Sequence, residues 1–160
     1  MKLVIHAVGR LKEPAEKALV EDYLRRAKPL LRRMGITDVV VRELPESRAE
    51  TPELRKRREA DDILKRIDGK APVLLLDERG EDMTSRAFAT WLRKLAGRGG
   101  KELVIIIGGP DGVDERLRER ADVTVAFGRM TWPHRLVRVM LAEQLYRAGS
   151  IAAGLPYHRD

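Results

Sequence analysis

Residues 102–114 have the sequence ELVIIIGGPDGVD, in which a continuous apolar run passes directly into a glycine-rich turn. Short apolar runs without alternation are typical of strands that are buried on both faces of a parallel sheet. The glycines of the turn, Gly108, Gly109 and Gly112, allow the backbone to bend sharply and to approach a ligand closely. By itself the turn is equally consistent with a ligand loop and with a tight connection into a helix that starts near Asp114.

Four more apolar runs surround this stretch, and helical patterns separate them. The runs cover 3–8, 39–44, PVLLLDERG at 72–80 and DVTVAFG at 122–128. The helical patterns lie near 14–33, 53–67, 84–97, 113–120 and 133–151. This alternation predicts an α/β fold with a mostly parallel sheet and helices on both faces. No shift in composition divides the chain, so we expect one domain over residues 1–160.

The composition excludes several classes of protein. The 160 residues contain no cysteine, which rules out disulfides, thiolate metal sites and cysteine nucleophiles. The amino-terminal sequence MKLVIHAVGR lacks the length and cleavage pattern of a signal peptide. No apolar segment approaches the roughly 20 residues that are needed to cross a bilayer. We therefore expect a soluble, cytoplasmic protein that makes no use of a membrane.

The net charge of +7 favours a polyanionic partner, and nucleic acid is the commonest polyanion in the cytosol. The alternative is a basic surface that serves solubility and binds nothing. Aromatic residues make up only 4% of the chain, which argues against an extended platform for stacking single-stranded bases.

The common catalytic motifs are absent. The chain has no dinucleotide-binding G-x-G-x-x-G after the first strand, no Walker phosphate loop and no G-x-S-x-G elbow. Three dispersed histidines are too few for a metal site, and His6 is better explained as a packed residue within the first strand. What remains is a backbone-lined pocket at three strand ends, where ligands collect in open parallel sheets.

The last of these strand ends runs into FGRMTWPHRL at 127–136 and then into a helical pattern. Pro133 suits the first turn of a helix, with Thr131 as a candidate cap. Apolar residues at helical spacing then form a stripe that suits a core or an interface: Leu136, Val137, Met140, Leu141, Leu145 and Ala148. We place Arg135 and Arg138 on the opposite, polar face.

Three ordered motifs, VIIIGGPDGVD at 104–114, the segment from Phe127 to Ile151, and PYHRD at 156–160, resemble the RlmH family of SPOUT methyltransferases. The resemblance covers essentially the whole chain. It implies an enzyme that uses S-adenosylmethionine, bound among the loops of a carboxyl-terminal trefoil knot. It also implies methyl transfer to N3 of a pseudouridine in the helix 69 loop of 23S rRNA, on assembled ribosomes. Members of the family act as homodimers without a metal, with the site at the interface.

The resemblance assigns a set of cofactor-binding positions to this chain. They are Leu76, Gly108, Phe127, Gly128, Arg129, Met130, Thr131 and Trp132. Backbone groups would contact the adenine edge, and Leu76 and neighbouring apolar groups would enclose the ring. Two positions depart from the family pattern, which has a serine at the position of Gly128 and an aliphatic residue or phenylalanine at that of Trp132.

The resemblance also gives the carboxyl-terminal residues a catalytic role. Arg159 could hold a phosphate or the target base, and Tyr157 could stack or donate a hydrogen bond. His158 is the candidate to accept the N3 proton, because its ordinary pKa lies near 6.5. Two alternatives remain open at this point: a basic RNA- or ribosome-binding protein without chemistry, and a SPOUT methyltransferase for another RNA position.

Overall fold

A computed structural model describes residues 1–160 as a five-stranded sheet covered by five helices. The strands are β1 (Lys2–Val8), β2 (Asp38–Leu44), β3 (Val73–Asp82), β4 (Glu102–Ile107) and β5 (Val123–Ala126). They lie in the order β2-β1-β4-β3-β5, and every neighbouring pair is parallel. The predicted α/β fold with a parallel sheet is therefore confirmed.

The helices are α1 (Pro14–Arg33), α2 (Pro52–Leu64), α3 (Ser85–Gly97), α4 (Glu115–Arg120) and α5 (His134–Ala152). Two ends differ from the predicted ones by two or three residues. α4 begins later because the side chain of Asp114 caps it, accepting a hydrogen bond from the Arg116 amide. α2 ends earlier because the amides of Arg66 and Ile67 bond to carbonyls three residues back, which tightens the last turn.

Both faces of the sheet are buried, as the unbroken apolar runs predict. α1, α3 and α5 cover a face that includes Leu3 and Ile105, while α2 and α4 cover a face that includes Leu75 and Ile106. His6 lies fully buried in β1, and neither of its ring nitrogens has a hydrogen-bond partner. It is thus a packed histidine, as expected from its place in the first strand.

β3 has an irregularity that shapes the edge of the sheet. Leu76 and Glu81 are both in register with Val125 of β5, so the intervening residues 77–80 bulge out of the ladder. An added Cβ at Gly80 would lie 2.5 Å from the backbone carbon of Val125, which only glycine can accommodate.

The trefoil knot stays a prediction. No helix is both long and apolar enough to span a bilayer.

Candidate active site

A cavity of about 500 Å³ opens beyond the carboxyl ends of β3, β4 and β5. This is the edge at which parallel sheets collect ligands, and the volume is in the usual range for a small-molecule site. Of the eight positions that the resemblance assigns to the cofactor, seven line this cavity: Leu76, Gly108, Phe127, Gly128, Met130, Thr131 and Trp132. Arg129 is exposed and does not contribute to the lining.

The loop after β5 is closed by one of its own side chains. Nε1 of Trp132 donates a hydrogen bond of 2.8 Å to the carbonyl oxygen of Phe127. Gly128, between them, has a φ of +84°, in the left-handed region that favours glycine. The indole therefore holds the loop in a compact turn and adds apolar surface to the cavity wall. Its Nε1–H also engages a carbonyl that could otherwise face a ligand.

The glycine-rich turn after β4 is fixed to α2 by an arginine. Nε and Nη2 of Arg55 donate to the two carboxylate oxygens of Asp111, at 2.7 and 3.2 Å. A third donor of Arg55, Nη1, bonds to the carbonyl of Ala49 at 3.0 Å. The hydrogen bond from Arg55 lowers the pKa of Asp111 below its ordinary value. This bidentate ion pair orients the glycine-rich turn, and Arg55 itself does not line the cavity.

A second arginine fixes the loop after the first part of β3. Arg118 of α4 donates through Nε to Asp77, whose side chain is only 6% exposed, and through Nη1 to Glu115 at 3.0 Å. Asp77 follows Leu76 directly, so this pair positions the residue that forms part of the apolar wall. Neither arginine clamp could be predicted from the sequence, because the partners are 56 and 41 residues apart.

Two expectations about the start of α5 are wrong. Pro133 is the N-cap residue of α5 and the helix has no side-chain cap; the hydroxyl of Thr131 instead donates to Glu78 at 3.4 Å. Arg138 does not lie on a polar face, because it is 6% exposed and donates to the carbonyl of Gly9 and to Glu43. It connects α5 to the loop after β1, and burial of its charge is offset by these bonds.

The carboxyl-terminal residues are not frayed, since they fold back onto α5. The hydroxyl of Tyr157 donates to Oε1 of Glu143 at 2.9 Å, and its ring meets the ring of Tyr146 edge-on at 4.6 Å. The guanidinium of Arg147 lies 4.8 Å from the centre of the Tyr157 ring. Burial, followed by the contact with Glu143, raises the pKa of Tyr157, so this phenol stays protonated at neutral pH.

His158 is held from both sides. Nη1 of Arg147 lies 3.2 Å from its Nδ1, and Oδ1 of Asp160 lies 2.9 Å from its Nε2. A guanidinium can only donate, so Nδ1 is the acceptor and the proton of the neutral ring is on Nε2. Asp160 also binds Arg86 of α3, which lowers the pKa of this carboxyl to about 2. Arg159 is exposed and forms no hydrogen bond.

The tail and the cavity lie apart within one chain. None of Tyr157, His158 and Arg159 lines the cavity. Val137 of α5 lines it, and Arg147, which contacts the tail, is ten residues further along α5, about 15 Å at the helical rise. A shallow groove that includes Leu19, Phe127, Met140 and Glu143 occupies part of the space between them.

Comparisons with known proteins identify relatives in sequence and in fold. A family model described as predicted SPOUT methyltransferase matches residues 1–158. A protein of Brucella anthropi and one of Allorhizobium ampelinum, both named ribosomal RNA large subunit methyltransferase H, are 46% and 50% identical to this chain over the full length of each. The crystal structure of a probable methyltransferase from Bordetella pertussis covers 92% of this chain and 95% of its own, with a TM-score of 0.50 and 13% identity. That structure shows the likeness of fold.

Proposed function

The chain belongs to the SPOUT methyltransferase family, and we propose that it is an S-adenosylmethionine-dependent methyltransferase of large-subunit ribosomal RNA. The names of its full-length relatives support the substrate class and the reaction. The observation that carries the proposal is the cavity at the three strand ends, because it gathers seven residues from separate parts of the chain that the family resemblance assigns to the cofactor.

The residues around the cavity fit this cofactor. Leu76, Phe127 and Trp132 offer an apolar wall for the adenine ring. An added Cβ at Gly112 or Gly128 would meet no atom within 4 Å, so the backbones of both loops are open to a ligand. When bound, S-adenosylmethionine supplies an electrophilic methyl group on its sulfonium sulfur. Arg129, which does not line the cavity in this structure, remains a proposed cofactor residue only if its loop moves on binding.

The proposed target is N3 of a pseudouridine in the helix 69 loop of 23S rRNA, within the assembled ribosome. The family resemblance supports this choice, and the positive net charge suits an RNA substrate. A loop nucleotide can leave its stack more easily than a paired one, and so can reach a cavity at the edge of a compact domain. We further propose that residues 1–160 act as one SPOUT domain in the cytoplasm.

We propose that the active site is completed in a homodimer. The separation of the tail from the cavity in one chain supports this, because the tail of a partner could reach the cavity across the shared face. Several large apolar side chains near the cavity rim and the groove are exposed, as a covered interface requires: Leu19, Met130 and Trp132 are 48%, 75% and 42% exposed.

Tyr157, His158 and Arg159 are the proposed catalytic residues of the tail. Arg159 is free to bind a phosphate or the target base, and the protonated Tyr157 can donate a hydrogen bond if Glu143 releases it. His158 can accept the N3 proton only after its Nδ1 leaves Arg147, because that nitrogen holds the only ring lone pair that can take a proton. A rearrangement of the tail on RNA binding is therefore part of this proposal.

The proposal is tested by methyl transfer from labelled S-adenosylmethionine to ribosomes that lack the modification, with the labelled nucleotide mapped by mass spectrometry. We expect label on N3 of a helix 69 pseudouridine with the unaltered protein. We expect none with a triple variant, Tyr157→Phe, His158→Gln and Arg159→Gln, while its cofactor affinity stays unchanged. Arg58→Gln, on the exposed face of α2, is the matched control and should retain activity.

The outcomes separate the parts of the proposal. Label at another nucleotide would keep the enzyme class and reject the target. Full activity of the triple variant would reject a catalytic tail. Cofactor binding without transfer by the unaltered protein would reject this substrate, and neither binding nor transfer would leave a basic RNA-binding protein.

A complementation experiment tests the shared site. The triple tail variant, which has an intact cavity, is mixed with Leu76→Arg, which has an intact tail and a blocked cavity. If each site uses the cavity of one subunit and the tail of the other, mixed dimers regain about a quarter of the unaltered activity at equal concentrations. If each subunit uses its own tail, the mixture stays inactive.

A further inference from the structure

The edge of the sheet opposite the cavity carries a dense group of positive charges. We define the amino-edge patch by seven side chains at the amino ends of the strands and the carboxyl ends of α1 and α3. They are Lys2, Arg32, Arg33, Arg93, Lys94, Arg98 and Lys101. The amino group of Met1 lies among them, bonded to the carbonyl of Gly35 at 3.1 Å. The proposed methyl-transfer site uses none of these groups.

Backbone contacts bring these residues onto one continuous surface. The amide of Lys2 donates to the carbonyl of Lys101 at 2.9 Å, which joins the start of β1 to the segment before β4. An added Cβ on Gly35, just after α1, would lie 3.6 Å from the Cβ of Ala96 in the last turn of α3. The carboxyl ends of α1 and α3 therefore lie side by side, next to the two strand starts.

The charges of the patch are not neutralised within the chain. All seven side chains belong to exposed residues, and none forms an ion pair; Arg32 donates only to the carbonyl of Thr37, at 3.3 Å. The two carboxylates in register with Lys2 are Asp38 and Glu102. Asp38 already pairs with Lys28 at 3.4 Å. The patch therefore has a large local excess of positive charge.

This excess accounts for most of the net charge of the protein. Apart from the seven side chains and the two carboxylates beside them, the chain has 25 lysines and arginines and 23 aspartates and glutamates, which nearly cancel. The dipoles of α1 and α3 favour cations at their carboxyl ends, which explains Arg32, Arg33 and Lys94. Helix dipoles do not explain Lys2 and Lys101, which stand at the starts of strands.

The chemistry of the patch points to a hydrophilic polyanion. Stable binding to a membrane surface combines cations with a second signal, such as apolar side chains that enter the lipid. The large exposed apolar residues of this chain are Leu19, Leu54, Met130, Trp132 and Leu155, and none belongs to the patch. Flexible lysines and arginines without such anchors suit the evenly spaced phosphates of a nucleic-acid backbone.

We propose that the amino-edge patch is a second RNA-binding surface, which docks on the phosphate backbone of ribosomal RNA away from the target nucleotide. The choice of ribosomal RNA rests on the proposed function. The seven residues of β1 separate the patch from the cavity edge by about 20 Å. The patch therefore contacts a different RNA segment from the one that enters the cavity, and it sets affinity and orientation, not chemistry.

The experiment compares two variants that lose the same charge. The patch variant carries Arg93→Gln, Lys94→Gln, Arg98→Gln and Lys101→Gln. The control variant carries Arg48→Gln, Arg57→Gln, Arg58→Gln and Lys65→Gln, on and beside α2; these four side chains belong to exposed residues and form no ion pair. Equilibrium binding to ribosomes that lack the modification is measured for both, without methyl transfer, at several salt concentrations. Thermal unfolding and cofactor affinity are measured on the same samples and should match those of the unaltered protein.

We expect the patch variant to bind ribosomes at least about tenfold more weakly than the unaltered protein near 0.1 M salt. The slope of log K against log salt should also become shallower by about 3, because each of the four lost phosphate contacts reduces the slope by about 0.7–0.9. The control variant should keep most of the affinity and slope. Unchanged binding of the patch variant, or equal losses in both variants, would overturn the proposal. Binding to anionic vesicles, in which roughly one lipid in three is phosphatidylglycerol and the rest phosphatidylcholine, is measured in parallel. A patch variant that loses affinity for these vesicles but not for ribosomes would also overturn the proposal.

The binding assay keeps this inference separate from the proposed function. An unaltered protein that binds ribosomes through the patch but transfers no methyl group would reject the methyltransferase proposal alone. A protein that methylates normally after loss of the patch charges, with unchanged KM for ribosomes, would reject the patch and leave the methyltransferase proposal intact.

Discussion

His6 makes the stability of this protein depend on pH in a way that can be calculated. Its imidazole is fully buried in β1, and neither ring nitrogen has a partner. Burial lowers the pKa of His6 to about 4, and the nearby charges of Arg42 and Arg66 act in the same direction. In the unfolded chain the pKa returns to about 6.5. The unfolded state therefore binds a proton more readily than the folded state at every pH between these values.

The sign and size of the effect follow from this difference. The contribution of neutral His6 to stability is complete above about pH 7 and is lost as the pH falls from about 6.5 towards 4. The full loss is about 3 kcal/mol, from about 1.4 kcal/mol for each unit of pKa. Between pH 7 and pH 4.5 the free energy of unfolding should fall by about 2 kcal/mol through this group alone.

The assay is urea unfolding, followed by circular dichroism, at fixed protein concentration and ionic strength between pH 7 and pH 4.5. His6→Leu removes the titrating group and two unsatisfied polar atoms, so it should be as stable as the unaltered protein at pH 7, or more stable. The difference between the two proteins should widen by about 2 kcal/mol at pH 4.5. His134→Gln is the control, and should keep the acid sensitivity. Parallel pH profiles for His6→Leu and the unaltered protein would refute the reasoning.

Three further predictions concern the elements that build the cavity. Arg118→Met leaves the buried carboxylate of Asp77 without a partner and should lower the free energy of unfolding by about 3 kcal/mol in urea titrations; a loss below about 1 kcal/mol would contradict the clamp. Gly80→Ala places a methyl group against the backbone of β5 and should lower the free energy of unfolding by about 3 kcal/mol in the same assay. An unchanged urea midpoint would mean that β3 can move away from β5 at no cost and that the contact does not require glycine. Trp132→Phe keeps the apolar wall but loses the hydrogen bond to the carbonyl of Phe127, so cofactor affinity in calorimetry should fall about fivefold. Equal affinity would show that the loop needs no closure.

The fold could be predicted from the sequence because each element has a strong local signal. The unbroken apolar run before Gly108 can be satisfied only by burial on both faces, and five such runs alternating with amphipathic segments leave a covered parallel sheet as the simple solution. The strand ends then gather the pocket at one edge without any knowledge of side-chain contacts. That is why Leu76, Gly108 and the loop after β5 can be expected at one edge of the sheet, where they line one cavity.

The arginines that hold the loops around the cavity could not be predicted from the local sequence. Arg55 and Arg118 lie in highly charged segments that resemble solvated helix faces, and only the tertiary structure places each beside one aspartate on a distant loop. Arg138 was misplaced for a related reason. Helical spacing identifies the face of α5, but it cannot show that the loop after β1 and Glu43 cover that face and offer acceptors to the guanidinium.

If the tail has the catalytic role proposed above, one chain holds the tail and the cavity at separate places and does not assemble the site by itself. The tail residues are ordered by α5 and α3 through Glu143, Arg147 and Arg86, and none of these reaches the cavity. The same contacts occupy both nitrogens of His158, so in the proposed mechanism Nδ1 must leave Arg147 before it can accept a proton. Coupling of release from Arg147 to arrival of the nucleotide would confine proton transfer to the complete complex of two subunits and RNA.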